Sequence, residues 1–322
     1  MKKILLATTM IVGGASIAAA EVSLSGTARM GVISNFSDGN AANGDESDLS
    51  FSSRVRVIFT LSGETDSGLS FGASIRADNA AAGNQGDAGE VFVSGAFGKL
   101  SMGDVDGAAQ MATGHVAGVG YTGLSDLNES VFLGAGTGET DPTALYEYSA
   151  GDFTFYLSAS NPRPVVTTGG TSVTADLTAM AIGAKYTFGD YTVGLGYEKL
   201  QGYSGAAAAL PIADNTDVDH IVLKLSGNVA GFNIQGLIGQ ADGTLGGAVL
   251  NNEKQYAMSV GYTVDAITGT AFYTDDSDLG GTTAYGLGAS YDLGGGAALV
   301  GGVVKDHDAN ETAYDLGITM SF

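Results

Sequence analysis

The chain is 322 residues long, contains 51 glycines and no cysteine, and carries a formal charge of −22. That acidity excludes a nucleic-acid-binding surface, which needs cations to meet phosphates, and the missing cysteine excludes a disulfide framework. Charged residues make up only 15 % of the chain, against about 25 % in an ordinary soluble domain, and they are scattered between apolar segments, so this is not a disordered acidic tail either.

Residues 1–20 read as a cleaved export signal. Lys2 and Lys3 form a basic start, Ile4 to Ile17 an apolar stretch, and Ala18-Ala19-Ala20 a small-residue cleavage site before Glu21. A spanning helix needs about 20 apolar residues, and this stretch is broken by Thr8, Thr9, Gly13, Gly14 and Ser16. Cleavage leaves one domain, residues 21–322. Losing Lys2 and Lys3 takes its net charge from −22 to −24.

From Glu21 onward the dominant period is two, the mark of strands with one apolar face. Val22, Leu24 and Met30 share a face, with Arg29 on the other. Val55, Val57, Phe59 and Leu61 then alternate with Arg54, Arg56, Ile58 and Thr60, and Leu69, Phe71 and Ile75 leave Arg76 on the opposite face. The pattern returns in Met180 to Phe188, Tyr256 to Val264 and Tyr285 to Leu293. It is cleanest at the end, where Tyr314, Leu316, Ile318, Met320 and Phe322 alternate with Asp315, Gly317, Thr319 and Ser321.

The connections alternate as well. Short turns fall at 64–68, 97–98, 151–152, 189–190, 229–231, 265–266 and 294–296, with long polar segments near 35–49, 80–88, 107–142, 161–176, 201–216, 242–252, 276–282 and 306–310. These connections delimit about sixteen strands, of a length that suits tilted membrane crossings of about 9–11 residues. Short turns on one side and long loops on the other describe an all-β, closed, antiparallel transmembrane barrel. An unpaired backbone group in lipid is expensive, so the spanning sheet must close. A soluble β-sandwich is the rival, but its core forms from far fewer strands. Aromatic residues gather at strand ends as an interfacial girdle requires: Phe153, Tyr186, Phe188, Tyr191, Tyr291 and Phe322.

Three stretches resemble the porins of alphaproteobacteria, especially the Rhodobacter type. They are Phe51 to Arg56 running into Gly63 to Gly72, Gly95 to Asp104, and the last strand ending in Phe322. The resemblance implies a general diffusion porin in the outer membrane of a Gram-negative bacterium, passing ions and small hydrophilic solutes. It also implies a homotrimer of sixteen-stranded barrels among outer-membrane lipid and lipopolysaccharide, with the C-terminal strand recognised by the barrel-assembly machinery. In each barrel the third long loop would fold inward; by count that is 107–142, the longest connection.

Parity decides which side chains face water. Arginine on the lipid face at midplane would cost about 2–4 kcal/mol, so Arg54, Arg56, Arg76 and Arg29 are expected on the lumen side as a basic wall. An inward loop would present Asp104, Asp106, Asp126, Glu129, Glu139 and Asp141 against it, giving a transverse field at the narrowest point. Alternatively, Arg54 and Arg56 pair with lumen acids and stiffen the barrel. The other inward residues are mostly Gly, Ser, Thr and Ala, which favours an open, water-filled lumen over a substrate-specific channel with an aromatic slide. A structural or adhesive barrel is the remaining alternative. The acids Asp45, Glu46 and Asp48, Asp275, Asp276 and Asp278, and Asp306 and Asp308 are either a solvated loop face or a gathering point for Ca2+. No catalytic or cofactor site is expected. Only His115, His220 and His307 are present, no Gly-x-Ser-x-Gly sequence surrounds a strand-to-helix turn, and no His-Glu-x-x-His zinc pattern occurs.

Overall fold

A computed structural model of the chain describes residues 21–34, 49–78, 89–133, 143–160, 165–168, 171–174, 176–203 and 216–322. Residues 1–20, expected to be an export signal, the acids Asp45, Glu46 and Asp48, and the loop acids Glu139 and Asp141 lie outside the described residues.

The strands are β1 (Glu21–Ser34), β2 (Leu49–Glu64), β3 (Ser70–Asp78), β4 (Gly89–Gly95), β5 (Gly98–Gly103), β6 (Thr143–Ala150), β7 (Phe153–Ala159), β8 (Val165–Thr168) and β9 (Thr171–Thr174). They continue as β10 (Asp176–Phe188), β11 (Tyr191–Tyr203), β12 (Thr216–Val229), β13 (Phe232–Leu245), β14 (Ala248–Val264), β15 (Ile267–Asp275), β16 (Thr283–Gly294), β17 (Ala297–Asp306) and β18 (Glu311–Ser321). All except β8 and β9 join one closed antiparallel barrel of sixteen strands, each paired with its barrel neighbours in chain order and β1 paired with β18. The hairpin β8–β9 forms a separate two-stranded sheet within the 161–176 connection.

Closure is completed at the chain's last residue. β1 runs against β2 from Glu21↔Ser62 to Ser34↔Leu49, and against β18 from Thr27↔Ser321 to Ser34↔Tyr314. Beyond that register the Phe322 N–H donates to the Gly26 carbonyl at 2.9 Å, and the Gly26 N–H donates back at 3.3 Å. Every strand of the barrel therefore has two partners, which removes the unpaired edge a membrane would not tolerate.

The alternation read from sequence is the alternation of the two faces. Met180, Ile182, Leu195, Ile221, Leu223, Leu225, Leu287 and Leu316 are exposed on the outside, while their inward neighbours Ala181, Glu198, His220, Val222 and Asp315 are buried. Aromatic rings mark the short-turn edge of the apolar band: Phe153 stacks on Tyr186 at 4.2 Å, and Phe232 on Tyr262 at 4.4 Å. The seven short turns fall where expected. Val229↔Phe232 closes a two-residue hairpin, and the positive φ of both Ala230 (52°) and Gly231 (87°) matches the twist of the flanking strands.

One expected loop is largely sheet. Residues 242–252 continue β13 and β14 up to Leu245↔Ala248, with a register shift between Ala241 and Gly243 and a turn at Gly246-Gly247. Polar Asp242, Thr244, Asn251 and Asn252 mark where the wall enters water. They do not mark where backbone pairing stops, and composition alone conflates the two.

Candidate pore constriction

The segment between β5 and β6 is built to lie on the inner wall. Its helix α1 (Ala108–Thr113) presents Ala108, Ala109 and Ala112, all buried, to glycines of the wall. A methyl at Gly183 would sit 2.2 Å from the Ala108 carbonyl oxygen, one at Gly194 2.2 Å from that of Ala112, and one at Gly196 2.7 Å from the Ala109 Cα. Farther along, Val119 occupies the space over Gly286 and Gly288, Gly120 that over Gly302, and the Tyr121 ring that over Gly317. The small inward residues therefore do more than leave room for water. Those on β10, β11 and β17 seat loop backbone against wall backbone, and those on β16 and β18 seat the Val119 and Tyr121 side chains.

Polar ties fix the segment along that track. Ser158 Oγ accepts the Ala108 N–H at 2.8 Å, Ser259 Oγ accepts the Ala117 N–H at 3.1 Å, and Lys224 Nζ donates to the His115 carbonyl. At the apex, Asp315 Oδ2 accepts both the Thr122 N–H (2.8 Å) and its hydroxyl (2.7 Å). The Arg29 guanidinium donates to the carbonyls of Tyr121 (3.2 Å) and Thr122 (3.0 Å). The chain then turns through Leu124, Ser125 and Asp126, all at positive φ, and comes back beside itself. Asn128 Nδ2 reaches the Val116 carbonyl at 2.8 Å, and the Ser130 N–H donates to His115 Nδ1 at 3.0 Å. Beneath these bonds Val116, Val119, Leu124 and Phe132 form one buried cluster with Val222, Leu237, Phe272 and Val304 of the wall. Full burial contributes about 1.5–3 kcal/mol for each such side chain, more than a typical net hydrogen bond at about 0.5–1.5 kcal/mol. Apolar contact supplies most of the adhesion, and the hydrogen bonds set the position.

Arg29, Arg54, Arg56 and Arg76 share the inner face of β1–β3. Arg29 lies directly across from Arg54 in the β1–β2 register, and Arg56 directly across from Asp78 in the β2–β3 register. Asp78 holds Arg56 in a fork, with Nε at 3.0 Å and Nη2 at 2.9 Å, and takes Arg76 Nε at 3.3 Å. Among the described residues four guanidiniums thus share this wall with one carboxylate bound to two of them, which leaves the patch cationic. On the adjoining strands Glu90 accepts Lys99 Nζ and the Ser101 hydroxyl, each at 2.6 Å, so that stretch is neutral.

The loop acids within the described residues influence one another. Burial pushes the Asp106 carboxyl above its ordinary value, and the charge of Asp104 adds to the shift. Burial likewise raises Glu129, followed by the charges of Asp126 and Asp106. His115 moves the other way: burial lowers it, Lys224 acts in the same direction and Asp126 opposes. Its Nε2 stands 3.9 Å from Glu129. Among the described residues no group of three or more His, Cys, Asp or Glu is arranged to hold a metal ion. Asp306 accepts the Thr282 hydroxyl at 2.7 Å, and Asp308 accepts the Thr283 N–H at 2.8 Å.

The structure thus places the four arginines on one inner face, with Arg29 bound to the loop apex. Sequence reasoning missed Asp78, although it shares Arg76's parity two residues on, and Asp315, although it stands in the inward row of the last strand. It also missed Glu198, His220 and Gln255, which no local pattern joins.

Residues 7–311 match the family model described as Gram-negative porin. A protein named porin from Rhodobacter capsulatus is 40 % identical over 94 % of this chain and 100 % of its own length. A porin from Fuscovulum blasticum is 28 % identical over 85 % of this chain and 92 % of its own. Among solved structures, a porin refined at 1.8 Å superposes with a TM-score of 0.73 at 39 % identity, covering 94 % of this chain and all of that one. An engineered variant of the Rh. blastica porin gives 0.66 at 25 % identity with the same coverage.

Proposed function

This chain belongs to the Gram-negative porin family and is an outer-membrane diffusion channel, not an enzyme; from that premise we propose that its selectivity is set where the cationic wall of Arg54, Arg56 and Arg76 faces the segment carrying Asp104, Asp106, Asp126 and Glu129. Arg29 contributes charge to the same wall while clamping the loop apex. The observation that carries this reading is the asymmetry of the lumen. The segment's glycine seats lie on β10, β11 and β16–β18, and the arginines lie on β1–β3. The free face of the loop and the arginine patch then bound the passage from opposite sides. Opposite charges across a narrow wet gap orient a polar solute and offer it hydrogen-bonding partners, while an apolar solute must displace ordered water.

The chain is proposed to act as a homotrimer. β3 to β7 are only 6 to 9 residues long, while β14 has 17. Strands under about 9 residues are short for a hydrocarbon crossing, and packing that low wall against other copies would shield it from lipid. Lipopolysaccharide is proposed at the loop-side rim, where Lys254 faces outward two residues before Tyr256 and Lys305 faces outward directly across from Tyr285. The assembly machinery would engage β18 and Phe322. No metal enters the proposal.

The test is the conductance of the purified protein in a planar bilayer. Ohmic current without saturation by any one solute supports an open channel with this constriction. Saturable block by a single solute class would favour a specific channel instead.

A further inference from the structure

Three inward side chains from three strands meet the returning limb of the loop at a site that the charge field does not use. Glu198 on β11, His220 on β12 and Gln255 on β14 are each no more than 2 % exposed. Gln255 pairs with the backbone of Val131 in both directions. Its Oε1 accepts the Val131 N–H at 2.9 Å, and its Nε2 donates to the Val131 carbonyl at 3.0 Å. The second Gln255 amide proton points to His220 Nε2, 2.9 Å away. His220 Nδ1 is 2.7 Å from Glu198 Oε1, which also accepts the Leu133 N–H at 2.7 Å. Gln255 reaches His220 across the intervening strand only because Gly239 has no side chain. A Cβ there would lie 2.5 Å from Gln255 Nε2 and 2.8 Å from His220 Nε2.

Counting protons fixes the state of this network. The Val131 N–H and carbonyl fix which end of the Gln255 amide faces which way. The Gln255 N–H then needs an acceptor, so His220 Nε2 must be bare. The ring proton therefore sits on Nδ1 and goes to Glu198. A second proton on His220 would put an N–H against an N–H. Flipping the Gln255 amide would relieve that clash, but it would set the NH2 group against the Val131 N–H and break both bonds to Val131.

We propose that Glu198, His220 and Gln255 are a proton-operated clasp, positioning residues that hold the returning limb of the loop while His220 is neutral and release it at Val131 when His220 takes a second proton. The clasp would make the geometry of the narrowing respond to acid, and to that extent it rests on the reading that this segment narrows the channel. The surroundings of His220 contain few competing charges. β13 presents Gly239 and Ala241 beside it, and Val218 and Val222 flank it on its own strand. Glu253, one inward position from Gln255, bonds the Asn251 N–H. From the loop, Phe132 meets the imidazole edge-on at 6.3 Å, with His115 behind it at 5.5 Å from Phe132. Glu129 and Lys224 engage His115 and not His220.

Amide hydrogen exchange of the full-length barrel in detergent tests the clasp directly. Histidine changes charge between about pH 5 and about pH 8, so protection is followed over that range after correction for the intrinsic rate. Val131 should lose protection roughly fivefold on acidification, the effect of losing one ordinary hydrogen bond. Ala117 and Thr122, tied to Ser259 and Asp315, should keep theirs, and Leu133 should stay on Glu198. His220→Asn retains a donor for Glu198 and leaves the Gln255–Val131 pair intact, so it should abolish the pH response while preserving protection at neutral pH. Open-channel current noise should rise on acidification in the wild type and not in H220N.

Constant Val131 protection across the range in the wild type overturns the clasp, whether or not the variant assembles. The same acid response in H220N does so too, since another group would then be titrating. If exchange follows the expectation while current noise and conductance stay flat, the clasp stands and the narrowing reading falls.

Discussion

Arg29 and Arg54 stand directly opposite each other on the inner face of the β1–β2 pair, two like charges in a position where opposite charges are favoured. The repulsion is tolerated because each guanidinium faces a different environment. Arg29 is bound to the loop carbonyls of Tyr121 and Thr122, and Arg54 adjoins the Arg56–Asp78 fork. Arg29 and Arg54 therefore do different jobs within one patch.

Replacing either Arg54 or Arg56 with alanine should raise cation preference, because each change takes one positive charge from a patch in which Asp78 is shared by Arg56 and Arg76. We expect a change of about twofold in the cation-to-anion permeability ratio for R54A, an effect of local field alone. It should shrink as salt rises from about 0.1 M to about 1 M, where the screening length falls from about 10 Å to about 3 Å. Reversal potentials in asymmetric salt measure both. Reversal potentials left unchanged in both R54A and R56A would remove these arginines from the constriction.

A methyl on the glycine track should displace the loop without opening the barrel. Gly194→Ala places a carbon 2.2 Å from the Ala112 carbonyl oxygen, and overpacking of this kind costs about 1–3 kcal/mol. Single-channel conductance should rise while the barrel keeps its β-sheet circular dichroism and its heat resistance. Unchanged conductance would mean that α1 does not sit on this track.

Asp315→Asn should loosen the loop apex. It removes the charge from an acceptor that takes both Thr122 donors, and hydrogen bonds to charged groups are worth about 1.5–3 kcal/mol. Larger current fluctuations than in the wild type, suppressed by a disulfide that pins the apex to β18, are the expected result.

Acid should reduce cation preference earlier than ordinary carboxylates would allow. Burial raises the Asp106 and Glu129 carboxyls above their ordinary values, so they bind protons more readily when the loop is seated than when it is not. The resulting stabilisation of the seated loop is present below the unfolded values and is lost as pH rises through the folded ones. Titrating the reversal potential should show an acid transition above the usual carboxylate range, moved downward by Asp106→Asn combined with Glu129→Gln. If the double variant titrates like the wild type, other groups set the preference.

The strands, their parity and the inner placement of the arginines were legible because period two is a local property. Val55 or Leu316 reports its face through its own neighbours. The loop's path was not legible. Glu198, His220 and Gln255 are separated by 22 and 35 residues, and only barrel register brings them to Val131 and Leu133. The inner glycines were visible in the sequence, but their purpose was not, because the partner of Gly183 is a helix backbone 75 residues earlier. Local pattern also stopped short at Asp242 to Asn252, where polar composition conceals continued pairing.

The bond between Gly26 and Phe322 has a consequence for biogenesis. Since the cylinder is stitched shut by its first strand meeting its last, every nascent or partly folded form has two raw margins, and both vanish together at the final step. Loss of β18 would leave the seam unsewn, and such a product should accumulate as aggregate in the periplasm rather than as a leaky channel.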